Sequence, residues 1–202
     1  MIRVGIDLDY VIRDYKRRYL FFWGKEHGDS ELEGVMNEED ISKYDIEKGK
    51  YALEGKDKVR FVYEDYALEL KGNPKEVHKG SMNLINAWSH RLEDEFEGEI
   101  EFMFISPMEM GVTISANYFF LSRYGTHIRE MYMPKHSEDV WKRCDVVISA
   151  NDIFLKSKPE GKVAIGIQKS KNEPCSEGWD KTYEDIKKLT EIEKLDEYKE
   201  KF

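Results

Sequence analysis

Short apolar runs alternate along the chain with longer segments in which apolar residues recur every three or four positions. The runs predict buried strands, and the longer segments predict helices. The predicted strands span residues 2–7, 99–106, 127–134, 145–149 and 162–167. The predicted helices span residues 15–28, 81–96, 112–125 and 137–144, with a short helix and turn at 151–161 and a charged amphipathic helix at 180–202.

The order of these elements predicts an α/β fold. Strand and helix alternate after residue 81, which favours a three-layer, Rossmann-like parallel sheet wrapped by helices. Residues 29–80 break this order, because they are acidic, show no sustained period and end near a Gly-Asn-Pro turn signal. We therefore predict an α/β core formed by residues 1–14 and 81–202, and a mostly helical insert formed by residues 15–80.

Composition and charge exclude several classes of protein. The chain of 202 residues has a formal net charge of −9, with 36% charged and 40% hydrophobic residues. A general nucleic-acid-binding or anionic-membrane-binding role needs a basic face, which this balance does not favour. The two cysteines, Cys144 and Cys175, are typical of a reducing compartment. With no leader-like or membrane-spanning pattern, we expect a protein that is neither secreted nor in a membrane, but cytoplasmic or inside a virus particle.

Candidate chemistry stands at the end of the first strand, in the stretch VGIDLDYVIRD. Asp7 and Asp9 leave the carboxyl end of that strand, which is where parallel sheets bind ligands. Two carboxylates at this spacing can hold a hard cation, attack a phosphorus atom or move a proton. Aspartates that only cap their own turn would show the same pattern. The two residues alone leave both interpretations open.

Four elements in order resemble the haloacid dehalogenase-like phosphatase superfamily. The first is the apolar strand followed by Asp-x-Asp-x-Val, and the resemblance implies that Asp7 is the nucleophile and Asp9 the general acid/base. The second and third are Ser106, at the end of the strand EFMFIS, and Lys135, after the strand REMYMP, which the resemblance makes phosphate ligands. The insert lies where many members carry a helical cap, and the arrangement most resembles the small nucleotidase branch.

The insert is the fourth of these elements, whereas the family's fourth sequence motif is not matched here. The family places acidic residues at the end of the next strand, where they complete a magnesium site, but here the aligned positions are Ser149 and Ala150. Asn151 and Asp152 follow one and two residues late. The resemblance therefore implies Mg²⁺ held by Asp7, Asp9, Asn151 and Asp152 only if the turn is remodelled. Tyr10 stands where the family usually has a small residue, and it either crowds the phosphate pocket or stacks on a nucleobase.

Two functional hypotheses follow. The first is a catalytically impaired structural or assembly subunit of a larger complex, for instance a virus or phage particle, with other proteins as its partners. The alternative is a Mg²⁺-dependent phosphomonoesterase of the nucleotidase type, acting on a phosphorylated small molecule or nucleotide. A salt bridge from Lys135 to Asp7 or Asp9 would favour the first hypothesis, because the lysine would then stand in place of the metal.

Overall fold

A six-stranded parallel sheet organises the computed structural model, which describes residues 1–38, 41–106, 112–168 and 175–190. The strands are β1 (Ile2–Asp7), β2 (Ile100–Ile105), β3 (Glu130–Tyr132), β4 (Val146–Ser149), β5 (Val163–Ile167) and β6 (Lys181–Tyr183). Their spatial order is β3-β2-β1-β4-β5-β6, and every neighbouring pair is parallel. This topology confirms the predicted α/β, Rossmann-like fold class. It also places the end of β1 in the middle of the sheet, between β2 and β4.

Both faces of the sheet are covered, so the architecture has three layers. Alternate residues of a strand point to opposite faces, and on β2 Phe104 belongs to one apolar cluster while Met103 belongs to another. Helices supply the first face, and the segment around Trp141 and Phe154 covers the second. Gly5 of β1 lies so close to this second layer that a Cβ atom there would be 2.7 Å from the Cys144 sulfur.

The helices follow the predicted order. They are α1 (Tyr15–His27), α2 (Gly55–Val59), α3 (Ser81–Glu95), α4 (Val112–Tyr124) and α5 (Ile186–Thr190). The segments Ser137–Lys142 and Asp152–Ser157 form 3₁₀ helices. No helix within the described part of the chain is both long and apolar enough to cross a bilayer.

The predicted C-terminal helix over residues 180–202 is wrong at its beginning. Residues Lys181–Tyr183 instead form β6, because their backbone pairs with β5 at the open edge of the sheet. The helix begins only at Ile186, and its residues Ile186 and Leu189 are buried against the core. Residues 191–202 lie outside the described part.

The insert has its own group of buried side chains, which all lie between Tyr15 and Leu70 and are rich in tyrosine. Apart from α1 and α2, the helical segments described in the insert are single turns, the last of which is Leu68–Gly72. The division of the chain at residues 14/15 and 80/81 stays a prediction.

The two connections between insert and core run side by side. Asp14 N donates to Lys75 O at 2.8 Å, and Val77 N donates to Ile12 O at 2.8 Å. These bonds form an antiparallel bridge centred on Arg13 and Glu76. The insert therefore leaves and rejoins the core just beyond the end of β1, next to the candidate site.

Candidate functional site

The chain makes one wide helical turn, Leu8–Ile12, directly after β1. Asp7 caps this turn, since its Oδ1 accepts a hydrogen bond of 3.0 Å from Asp9 N. The turn closes where Arg13 N donates to Leu8 O at 2.9 Å, across five residues instead of the four of an α-helix. This geometry brings the side chain of Arg13 back onto Asp9.

Arg13 is completely buried, and all three of its guanidinium nitrogens have partners. Nε donates to Asp9 Oδ1 at 2.6 Å, and Nη2 lies 2.6 Å from the same oxygen. Nη1 donates to Lys71 O at 2.6 Å and to Asn117 Oδ1 at 2.7 Å, while Nη2 donates to Ser106 Oγ at 3.2 Å. A buried charge needs such pairing and hydrogen bonding, so Arg13 is a fixed part of the site.

Lys71 supplies a second cation to the same carboxylate. Its Nζ donates to Asp9 Oδ2 at 2.5 Å, and the residue is 5% exposed. Lys71 belongs to the last helical turn of the insert, which packs against α4. The packing is so close at Gly72 that a Cβ atom there would be 3.3 Å from Ala116 O. One cation at Asp9 thus comes from the core and the other from the insert.

These neighbours fix the ionisation of Asp9. Burial raises the pKa of Asp9, but the charges of Arg13 and Lys71 outweigh burial and hold the pKa below its usual value. Burial lowers the pKa of Lys71, and the Asp9 carboxylate opposes that shift only in part. Asp9 is therefore an ionised carboxylate held between two cations.

Asp7 has neutral partners instead. Its Oδ2 accepts a hydrogen bond of 2.5 Å from Ser149 Oγ, at the position where the family has an acidic residue. Burial, and next the negative charge of Asp9, raise the pKa of Asp7 to about 7, against the lowering effect of its hydrogen bonds. Asp7 is accordingly the carboxyl that holds a proton more readily.

The structure brings Ser106 into this cluster but leaves Lys135 outside it. Ser106 is completely buried, and its Oγ accepts from Arg13 and donates to Asp9 Oδ2 at 3.5 Å. Lys135 is exposed, and within the described residues the ion pairs of Asp9 are those with Arg13 and Lys71. The salt bridge to an aspartate that was considered for Lys135 is thus formed by Lys71 with Asp9.

The residues predicted to hold Mg²⁺ do not form a suitable donor set. Asn151 Oδ1 accepts from Ile153 N at 3.1 Å, and Asp152 Oδ1 accepts from Trp179 Nε1 at 3.1 Å. Both oxygens of Asp9 are already bonded to cations, which would repel a third. Nowhere in the described ranges do three or more His, Cys, Asp or Glu side chains come together in a way that could hold a metal ion. The arrangement does not fit Mg²⁺, which needs near-octahedral oxygen ligands.

A cleft of about 740 Å³ lies between the end of the sheet and the insert. Asp7 and Asp9 line it, as do Asn151 and Asp152. Its other lining residues include the basic Lys48, Lys58, Lys71, Lys135, His136 and Lys156, the acidic Glu47 and Glu138, and the aromatic Tyr10, Tyr15, Tyr19, Tyr63 and Phe154. Lysines and carboxylates thus line the cleft in equal number. Tyr10 and Tyr15 lie side by side in it, with ring centroids 6.3 Å apart.

Arg13, Lys71 and Asn117 are site residues that the sequence patterns did not single out. Arg13 carried a usable signal, because it follows Asp9 by four residues and interrupts an apolar stretch beside a predicted buried strand. Lys71 is 62 residues from Asp9 along the chain. The only sequence signal near Lys71 was the Gly-Asn-Pro turn that follows it. A turn signal does not predict which distant residue a side chain contacts.

Comparison with solved structures finds proteins of similar fold. One, assigned as a haloacid dehalogenase-like hydrolase of Burkholderia xenovorans LB400, has 13% identity and a TM-score of 0.49, with 95% of this chain and 96% of that chain covered. A HAD-superfamily hydrolase of subfamily IA from Geobacter sulfurreducens PCA has 11% identity and a TM-score of 0.47, with 94% and 97% covered. A HAD family hydrolase of Deinococcus radiodurans R1, with bound phosphate and sodium, has 13% identity and a TM-score of 0.45, with 93% and 92% covered.

These likenesses concern the fold alone, at TM-scores below 0.5. No protein-family model matches the sequence, and no curated protein sequence matches it.

Proposed function

We propose that this protein is a catalytically impaired haloacid dehalogenase-like protein that serves as a structural or assembly subunit. The observation that carries the proposal is that both carboxylate oxygens of Asp9 form ion pairs, one with Arg13 and the other with Lys71. The resemblance assigns the acid/base step of phosphoryl transfer to this carboxylate. In this chain it is engaged in an internal ionic cluster instead.

Engagement of Asp9 weakens the proton-transfer step. A general acid/base works best when its pKa lies near the operating pH. The cations beside Asp9 move its pKa away from that range. A proton on Asp9 would also remove the negative charge that strengthens its hydrogen bonds with Arg13 and Lys71, and charge-assisted bonds are the stronger kind.

Asp7 is also poorly placed to attack phosphorus. Its side chain is 1% exposed, and its Oδ2 is bonded to Ser149. A nucleophilic carboxylate must be ionised and reach the phosphorus in line, whereas burial favours the neutral form of Asp7. Both aspartates thus have a structural role. Asp7 caps the turn after β1, and Asp9 is the centre of the ionic cluster.

An exposed apolar surface supports the subunit role. On α4, Tyr118 is 52% exposed and Phe119 is 44% exposed, and Leu68 of the neighbouring turn is 45% exposed. Large apolar side chains grouped at a surface are typical of contact with another protein. The proposal therefore includes a protein partner at this face.

Phosphate release tests the proposal directly. Wild-type protein and the Asp7→Asn variant are incubated with nucleoside monophosphates and with an aryl phosphate, with and without Mg²⁺. We expect the wild type to release no more phosphate than Asp7→Asn in either condition. Turnover that requires Mg²⁺ and disappears in Asp7→Asn would show a working hydrolase.

That outcome would establish the second candidate, a phosphomonoesterase of the nucleotidase type. The cleft favours this candidate, because Asp7 and Lys135 both line it and it is bordered by several cations and tyrosines. The lysines of the lining can pair with a phosphate group and the tyrosines can stack on an aromatic base, two groups that a nucleotide combines. For hydrolysis, however, Lys71 would have to leave Asp9.

A further inference from the structure

We infer that the exposed face of α4 docks on the same face of a second copy of this chain, with the two α4 helices antiparallel. The inference deepens the proposed function, since it names the partner at the apolar surface formed by α4 and Leu68. It rests on that function only in requiring a protein partner there, and the chemistry of Asp7 and Asp9 has no part in it.

The surface is continuous across two elements, because Leu68 and Phe119 meet over Gly72. A Cβ atom on Gly72 would lie 2.7 Å from Leu68 Cδ1 and 3.1 Å from Phe119 Cδ1. The same atom would lie 3.3 Å from the Ala116 carbonyl oxygen, so the turn Leu68–Gly72 packs directly on α4. The exposed apolar side chains therefore form one contiguous surface instead of isolated positions, which need no explanation.

The exposed face of α4 is nearly uncharged, although 36% of the residues of the chain are charged. Its exposed residues are Val112, Ser115, Tyr118, Phe119, Ser122 and Arg123. The Arg123 guanidinium donates to Gly72 O at 3.1 Å and to Pro74 O at 3.4 Å, so this charge is engaged within its own chain. Two chains of net charge −9 repel each other. The repulsion is smallest where they meet through a helix without carboxylates.

The order of residues along this face is symmetric about its midpoint. In the stretch SANYFFLS, Ser115 stands three residues before Tyr118, and Ser122 stands three residues after Phe119. All four are exposed, and this spacing puts them on one side of the helix.

Such symmetry suits a two-fold interface, which needs a surface that is complementary to itself. Two antiparallel α4 helices would set Ser115 of each copy against Ser122 of the other, and Tyr118 of each against Phe119 of the other. The aromatic rings would then meet at the axis, and the small serines on either side would let the helices approach closely.

The size of the surface sets the expected affinity. α4 has 13 residues and is therefore about 20 Å long. A standard protein interface buries about 1,600 Å² in total, and one pair of helices of this length with an adjoining turn on each side covers less. We therefore expect a reversible dimer with a Kd in the micromolar range, not an obligate one.

Sedimentation equilibrium of the full chain measures the dimer directly. The wild type, from about 1 to about 200 μM, is compared with Phe119→Glu, which places two carboxylates at the axis, and with Val59→Glu as a matched control. Val59 is also an exposed apolar residue, but it belongs to α2 of the insert. Ser115→Glu is a second disrupting variant, because Ser115 is exposed and its substitution leaves the packing of Phe119 over Gly72 in place.

We expect the wild type and Val59→Glu to dimerise with the same Kd. Phe119→Glu and Ser115→Glu should each raise the Kd by roughly 100-fold, because two-fold symmetry introduces each charge twice into an apolar contact. A wild type that stays monomeric over the whole range would overturn the inference, as would a dimer that neither Phe119→Glu nor Ser115→Glu weakens. Neither result changes phosphate release, so the proposed impairment of the site is decided separately.

Cysteine cross-linking tests the antiparallel arrangement in a Cys175→Ser background, whose remaining native thiol, Cys144, is buried. An equal mixture of Ser115→Cys and Ser122→Cys should form cross-linked dimers with a short bismaleimide, whereas each variant alone should form few. Stronger cross-linking of Ser115→Cys alone than of the mixture would mean parallel helices and would overturn the inference. Absence of cross-linking in the mixture would overturn it as well, since any dimer would then use another surface.

Discussion

Asp7 and Asp9 are separated by one residue and are both buried, yet they have opposite electrostatic surroundings. Asp7 faces β4 and receives a hydroxyl and a backbone N–H. Asp9 receives a guanidinium from the core and an ammonium from the insert. Burial raises the pKa of both, and only at Asp9 do charges reverse the shift. The charge of the neighbours, more than depth in the protein, decides which carboxyl holds a proton.

This difference runs against the needs of a phosphatase. The residue in the position of the nucleophile is the one whose neutral form burial favours. The residue in the position of the acid/base is the one that holds a proton least readily. The ionisation that the structure favours for Asp7 suits an acid/base, and the ionisation that it favours for Asp9 suits a nucleophile, which is the reverse of the roles implied by the resemblance.

The largest expected effect comes from Arg13→Met. The substitution removes one cation from Asp9 and leaves Asn117 Oδ1 and the Lys71 carbonyl without their buried donor. Loss of one partner of a buried pair, together with these unsatisfied groups, should lower the free energy of unfolding by about 4–5 kcal/mol. Urea denaturation monitored by tryptophan fluorescence measures this loss.

Arg60→Met is the matched control for that experiment. Arg60 pairs with Asp65 at the surface, where its side chain is 68% exposed. Exposed pairs contribute little, so the control should change the free energy of unfolding by less than about 1 kcal/mol. Equal effects of the two substitutions would mean that the buried cluster does not hold the site together.

Asp9→Asn should have a smaller effect than Arg13→Met. It removes the charge that offsets both cations, which should lower the free energy of unfolding by about 3 kcal/mol. The loss is limited because burial already lowers the pKa of Lys71, so that this residue can give up its proton when Asp9 is neutral. Asp7→Asn, made in parallel, should not destabilise the protein at neutral pH. A greater loss from Asp7→Asn than from Asp9→Asn would contradict the difference between the two carboxyls.

The smallest and most pH-dependent effect is expected for Asp7→Asn. The pKa of Asp7 rises from its ordinary value of 3.8 to about 7 on folding, so the folded protein binds the proton more tightly than the unfolded chain does. The wild type should therefore lose stability relative to Asp7→Asn as pH rises from about 4 to about 7. Urea denaturation of both proteins across this range, in the presence of EDTA, measures the difference. A difference that is constant with pH would argue against a raised pKa.

The sheet could be predicted from the sequence because its central strands are continuous apolar runs. β1, β2, β4 and β5 are buried on both faces, and the sequence patterns marked all four. β6 was missed, since its three residues, Lys-Thr-Tyr, are not apolar and become a strand only by pairing with β5 at the edge. When a segment of three residues becomes a strand only by pairing with another part of the chain, its own residues carry no pattern that predicts a strand.

The site was only partly predictable for a related reason. Asp7 is the last residue of β1, and Asp9 and Ser106 come just after β1 and β2, so parallel topology alone brings the three together. Lys71 reaches Asp9 through the fold of the insert, whose single helical turns show no sustained period along the chain. Lys135 had the right order in the sequence but lies exposed, because the buried position beside Asp9 is filled by a residue from a different segment.

Carbon-13 NMR of the aspartate carboxyl groups most directly tests the central claim, which is that Asp9 stays ionised because it pairs with two cations. Wild-type protein labelled at aspartate is titrated from about pH 4.5 to 9, and Asp7→Asn and Asp9→Asn assign the two signals. We predict that Asp9 stays ionised over the whole range, while Asp7 takes up its proton near pH 7. An Asp9 signal that titrates near neutral pH, as a working acid/base would, contradicts the proposal of an impaired site.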